Sequence, residues 1–165
     1  MAVTLVLVRH GQAERKKLGQ TDIERQLTPD GLRALRSAFP TTFSMVEVTE
    51  QTELWVSPAL RARQTAEVAN ETLRIPAERQ LECRELFDQD EAEFLGLVAA
   101  SAADTIVTVG HIPFMNRLCE YLSGQPVAFD TGGVAAIRVD DPREAMHPSS
   151  HCPGRLLWFV QGPEV

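Results

Sequence analysis

The sequence predicts a three-layer α/β/α sandwich around a mostly parallel central sheet of about six strands, in a single domain spanning residues 1–165. Three observations carry this prediction. Short apolar runs alternate along the chain with stretches that bear helix-start signals, as in β/α proteins. The runs near residues 3–9 and 104–110 are apolar almost throughout, which fits strands covered on both faces better than half-exposed ones. No internal repeat, linker or low-complexity segment divides the chain, and 165 residues suffice to bury most of the apolar surface without disulfides or metals.

"VTLVLVR" from Val3 reads as a central strand, and the polar residues 11–27 that follow read as a loop. "LTPDGLRALRSAF" gives a first helix, with Thr28 as N-cap, Pro29 at N1, and Leu32, Leu35 and Phe39 at helical spacing. "ELWVS" at 53–57 is a short strand. Ser57 as cap and Pro58 at N1 then open a helix to about Leu73. "RQLECREL" at 79–86 fits either a strand or an extended loop, and "DEAEFLGLVAASAA" a helix with Asp90 near its start. "DTIVTVG" at 104–110 is a strand, followed by the helix "PFMNRLCEYL" from Pro113. "GGVAAIRVD" and "GRLLWFVQ" read as two last strands, a candidate hairpin across a polar, Pro-containing loop at 141–154.

The net charge of −7, from 23 acidic and 16 basic residues, argues against nucleic acid or an anionic membrane as partner, so an anionic ligand has to be held locally. Only Lys16 and Lys17 are lysines, which makes the cationic chemistry mostly guanidinium, a planar fork that matches phosphate and carboxylate. Cys83, Cys119 and Cys152 show neither CxxC nor an even count, as expected for reduced, mostly packing thiols. The apolar start lacks a basic n-region and a cleavage site, and no segment reaches a membrane-spanning length, so a cytoplasmic location is expected.

Ligands of such sheets bind beyond the carboxyl ends of the strands. That places Arg9-His10-Gly11, Ser57-Pro58 and Gly110-His111 on one rim. Arg61 lies in the first turn of its helix, where the dipole disfavours a cation, and has no acidic partner on that helix. A bound anion or simple solvation would account for it. Arg63, by contrast, has Glu67 at i+4. Arg9 ends a central strand and needs a partner. His111 precedes a helix whose free N–H groups favour anions. Two Arg around a dianionic phosphoryl group, with His10 in line as nucleophile, would give a phosphohistidine intermediate and need no metal. Guanidinium charge would keep His10 neutral, and His111 would donate to phosphoryl oxygens.

These residues sit in recognisable motifs. "VRHGQAE", "VSPALRARQTAE" and "VTVGHIP", in this order, resemble the three signatures of the histidine phosphatase superfamily. Within it the chain is most similar to the SixA-type phosphohistidine phosphatases, through "LTPDG" and "FDTGGVAAI"; the resemblance covers roughly residues 3–140. It implies His10 as phosphoryl acceptor, Arg9 and Arg61 as phosphate ligands, His111 as transition-state stabiliser, and no cofactor. Glu85, in "CRELF", matches a position where many members keep a general-acid carboxylate; it reads equally as a solvent-facing residue beside Arg84. Where the mutase branch of this phosphoglycerate mutase-like superfamily has Ser or Thr and then Asn, this chain has Ala13 and Lys16.

Only 19 residues separate Glu85 from Thr105, which leaves no room for a lid subdomain and implies an open groove. An open groove suits a phosphohistidine-bearing protein, and the alternative partner is a small phosphorylated metabolite. Three rival readings carry less of the sequence. Asp88 and Asp90 of "FDQDEA" lack the long apolar strand that an aspartyl phosphatase places before them. His147, His151 and Cys152 lie around Pro148, which breaks the helix that would align them for a metal. A phosphopeptide-binding module would keep Arg9 and Arg61 yet form no phosphoenzyme.

Overall fold

The architecture follows from how one strand distributes its side chains. In the computed structural model, which describes residues 1–147 and 151–165, strand β1 (Val3–Arg9) sends Val3, Leu5 and Leu7 into one apolar cluster and Val6 and Val8 into another. Alternating strand residues point to opposite faces, so a strand with both faces covered is apolar throughout. On one side lie α1 (Pro29–Phe43) and α2 (Leu60–Leu73), which contribute Leu35, Phe39, Phe43, Ala62, Ala66 and Ala69. On the other lie α3 (Arg84–Asp88), α4 (Glu91–Ala100) and α5 (Phe114–Ser123), which contribute Leu86, Phe94, Leu95, Phe114 and Leu118. The result is the three-layer sandwich expected from the sequence.

The remaining strands are β2 (Thr52–Val56), β3 (Gln80–Glu82), β4 (Thr105–Gly110), β5 (Val134–Val139) and β6 (Gly154–Val160). Their order is β3-β2-β4-β1-β5-β6. The first four are parallel, whereas β5 runs antiparallel to both β1 and β6. The expected hairpin is therefore present, and it is its first strand that joins the parallel sheet. The ambiguous stretch 79–86 divides into β3, a short edge strand, and α3. Between Glu85 and Thr105 the chain completes α3 and forms α4, whose Phe94, Leu95 and Val98 are buried in the core, so this segment does not cover the site as a lid.

Two helices begin or end elsewhere than predicted. The second starts at Leu60, with Ala59 rather than Ser57 at the N-cap; the Ser57 hydroxyl meets the Ala59 N–H and a distant side chain described below. The first runs on through Pro40 to Phe43. Phe39 and Phe43 are both buried with ring centroids 4.8 Å apart, and Arg36, whose carbonyl loses its helical N–H partner to Pro40, is exposed to water. Thr28 caps α1 by accepting from the Gly31 N–H at 2.8 Å, and Asp90 caps α4 through Glu93 at 3.1 Å. Cys83 and Cys119 are buried and Cys152 is exposed. Pro148, which the sequence reading places between His147 and His151, lies outside the described residues. Among the described residues no helix is long and apolar enough to cross a membrane.

Candidate active site

The carboxyl ends of β1, β2 and β4 meet at one rim of the sheet. Parallel pairing sets Arg9 beside Gly110, the His10 N–H donates to the Gly110 carbonyl at 3.0 Å, and the Ser57 N–H to that of Val109 at 3.0 Å. Arg9, His10, Arg61 and His111 thereby line one cavity of about 270 Å³, together with Asp22, Arg25, Phe87, Gln89 and Ile112. Of the sequence-predicted site residues Glu85 alone is not in that lining. It sits on α3, and its Oε1 meets the Cys83 thiol at 3.7 Å.

The rings of His10 and His111 pack edge to face with centroids 5.2 Å apart. Nδ1 of His10 lies 2.7 Å from the carbonyl oxygen of Gly11, which accepts only, so Nδ1 carries the proton. Nε2 is left with its lone pair and receives the Arg61 Nε–H at 3.3 Å. Burial is the main cause that pushes the pKa of His10 down to about 3, and the charges of Arg61 and Arg9 act in the same sense. The sequence argument expects a neutral His10 and credits the guanidinium groups; burial outweighs them. Burial likewise brings His111 down to about 4, with Arg61 next in effect.

His111 owes its orientation to Ser57, whose Oγ is 2.7 Å from His111 Nε2. The same Oγ accepts from the Ala59 N–H at 3.3 Å, and its own proton is best satisfied by the imidazole. That leaves Nδ1 of His111 as an N–H donor. The first N–H groups of α5 are not free for an anion, as the sequence argument supposes: that of Phe114 goes to Gln89 Oε1 at 3.0 Å and that of Met115 to the His111 carbonyl at 3.0 Å.

Arg9 meets its need for a partner by donating from Nη1 to the Phe129 carbonyl at 2.8 Å, while its Nε is buried without one. Arg61 is buried and does have an acidic partner, supplied by the 11–27 loop rather than by its own helix: Asp22 Oδ2 is 3.0 Å from Nη2, and the Asp22 carbonyl 2.8 Å from Nη1. Asp22 also pairs with Arg25 at 3.0 Å. Burial would raise the Asp22 pKa, but hydrogen bonds from Arg25 and Arg61 and their charges hold it below the ordinary carboxylate value. The loop itself is fastened to α2 through Thr65, which accepts from the Gly11 N–H at 3.0 Å, and Gln64, which accepts from that of Leu27 at 2.7 Å.

Sequence reasoning did not find Asp22, Arg25 or Gln89, and it placed Ser57 on the rim without its role toward His111. Asp22 and Arg25 lie in a polar loop with no periodicity, and Ser57 before Pro58 carries the local signature of a helix cap. Among the described residues no three His, Cys, Asp or Glu side chains are gathered to hold a metal ion. What the cavity offers is an unprotonated imidazole nitrogen among three guanidinium groups, a setting for attack on an electrophile that carries negative oxygens.

The chain resembles known proteins in sequence and in fold. The family model of the histidine phosphatase superfamily (branch 1) matches residues 5–90, just over half of the chain. The fold resembles that of the protein histidine phosphatase SixA solved in complex with tungstate, with a TM-score of 0.75 and 24% identity, over 96% of this chain and 97% of that one. A candidate phosphohistidine phosphatase SixA from Nakamurella multipartitia gives 0.76 and 25%, over 98% and 97%. A candidate alpha-ribazole-5'-P phosphatase from Escherichia coli gives 0.68 and 15%, over 100% of both chains. No curated protein matches the sequence.

Proposed function

The chain belongs to the histidine phosphatase superfamily, and from that premise we propose that it is a metal-independent phosphatase acting on protein-borne phosphohistidine through a phosphoenzyme on His10. In the first step Nε2 of His10 attacks phosphorus in line while Arg9, Arg61 and the Nδ1–H of His111 stabilise charge on the equatorial oxygens. The P–N bond of the substrate breaks, its electron pair stays on the departing imidazole nitrogen, and a proton from solvent neutralises it. Water then attacks the phosphoryl group on His10, which releases inorganic phosphate, and His10 Nε2 recovers its lone pair.

The observation that carries the P–N preference is the state of the cavity's carboxylate. Among the described residues lining it, Asp22 is the one acid, and it is held ionised by Arg25 and Arg61. A site without a proton to give favours a leaving group that is itself a base near neutral pH over an alkoxide. The tungstate complex of the structurally similar SixA adds that a tetrahedral oxyanion binds that fold. A second reading, hydrolysis of a small phosphorylated metabolite, rests on Glu85, which lies on the helix that brings Phe87 to the cavity and would have to leave its contact with Cys83 to act as the acid.

The test is kcat/KM on a phosphohistidine peptide and on an alkyl phosphate, side by side, with His10→Ala as blank. Preference for the peptide, with an acid-labile phosphoenzyme absent from the variant, is the expected result. Preference for the monoester, lost in Glu85→Gln, would replace it by the second reading; turnover by His10→Ala at the wild-type rate would end both.

A further inference from the structure

Every nitrogen of Arg61 already has a hydrogen-bond partner, which leaves a substrate only the second N–H of each terminal amino group. Its Nε is directed at His10, its Nη1 at the Asp22 carbonyl, and its Nη2 at Asp22 Oδ2. The Arg61 side chain is 7% exposed, so water offers it little alternative. Its carboxylate partner is a different case: the Asp22 side chain is 52% exposed and lies on the short 3-10 turn Asp22–Glu24 of the 11–27 loop. The two ends of that loop are tied together by the Ala13–Leu27 bridge, by Glu14 N–H to the Gln26 carbonyl at 2.8 Å, and by Arg25 Nε to the Glu14 carbonyl at 2.8 Å. The turn can therefore release Asp22 to solvent without the loop's base coming apart.

We propose that Asp22 is an internal anion, seated where a phosphoryl group would meet Arg61, and that oxyanions enter the site by exchange with its carboxylate. Charge supports the exchange. With Asp22 in place the cavity sets three guanidinium groups against one carboxylate, and one of their nitrogens, Arg9 Nε, is buried with no partner. A dianion that takes the place of Asp22 meets all three, while the displaced carboxylate is rehydrated at the surface. Asp22 then keeps Arg61 ordered and its charge compensated between turnovers, at the expense of ligand affinity: the apparent affinity is the intrinsic one reduced by the fraction of molecules in which Asp22 is out.

This inference rests on the oxyanion site of the proposed function, and it is tested by binding rather than turnover. Sodium tungstate, and separately inorganic phosphate, would be titrated calorimetrically into the wild-type protein and Asp22→Asn, which keeps the backbone carbonyl and the side-chain shape. Exchange predicts binding tighter by roughly fivefold or more in Asp22→Asn for both anions. A residue that merely orders Arg61 would give weaker binding when altered, and that result, or equal affinities, overturns the exchange while leaving the phosphate site standing. Absence of binding by both proteins removes the oxyanion site itself and the exchange with it.

Discussion

Arg61 donates its Nε–H to Nε2 of His10 across 3.3 Å, so a phosphate-binding cation and the lone pair of the nucleophile meet at one point. The contact keeps His10 in the Nδ1–H form and aims its lone pair at the cavity. Arg61→Lys places one ammonium where a fork stood and has no donor at the Nε position. We expect kcat/KM on a phosphohistidine peptide to fall about 100-fold or more, with the fold unchanged by circular dichroism. A loss below about threefold would mean that Arg61 does not touch the phosphoryl group.

Ser57 does for His111 what Gly11 does for His10. Its Oγ, 2.7 Å from His111 Nε2, is completely buried. Ser57→Ala leaves that nitrogen without its partner, which costs about 1–3 kcal/mol of stability and frees the ring to adopt the other tautomer. The expected signature is a drop in kcat of about tenfold with little change in KM, together with a shift of the His111 ring nitrogens in 15N NMR. Unchanged His111 resonances would show that Ser57 is not what holds the tautomer.

The glycine of "LTPDG" has a packing explanation. A Cβ on Gly31 would stand 2.6 Å from the backbone oxygen of Gln12, the second residue after His10. Gly31→Ala, which in an open helix gains up to about 1 kcal/mol, should here lose about 1–3 kcal/mol, because the segment that follows the nucleophile has to move. Urea unfolding of the two proteins decides it; a higher midpoint in the variant would show that the Gln12 segment yields without strain.

These residues also show what the sequence could reveal. The strands were legible because burial on both faces writes an unbroken apolar run, as in Leu5–Val8, and strand ends mark the functional rim of a parallel sheet. Arg9, His10, Arg61 and His111 came from that rule and from their motifs. The same rule set Ser57 on the rim but not its role, since its partner lies 54 residues away and its neighbour Pro58 imitates a cap. Asp22 was hidden in a loop with no period, where only the fold shows which of several acidic side chains reaches Arg61. The helix continues past Pro40 to Phe43, which packs on Phe39 one turn earlier, and both rings are buried in the core; that burial is not visible beside the local break.

The last expectation concerns pH. The pKa values of His10 and His111 in the folded protein, about 3 and about 4, lie below the ordinary histidine value of 6.5. As pH falls from 6.5 the unfolded chain takes up protons at these two positions first, so stability is complete above 6.5 and declines toward pH 4. Each histidine contributes a slope of at most about 1.4 kcal/mol per pH unit. The carboxyls of Asp22 and Glu24, depressed in the folded state, add losses only near and below their ordinary values of 3.8 and 4.5, which leaves the window between about 6 and about 5 mainly to the histidines. Denaturant unfolding across that window should show stability falling with pH in the wild type and falling by about half as much per unit in His10→Gln, relative to the same residual slope. An identical slope in the two proteins would mean that His10 titrates normally in the folded state, and the depression of its pKa by burial would have to be abandoned.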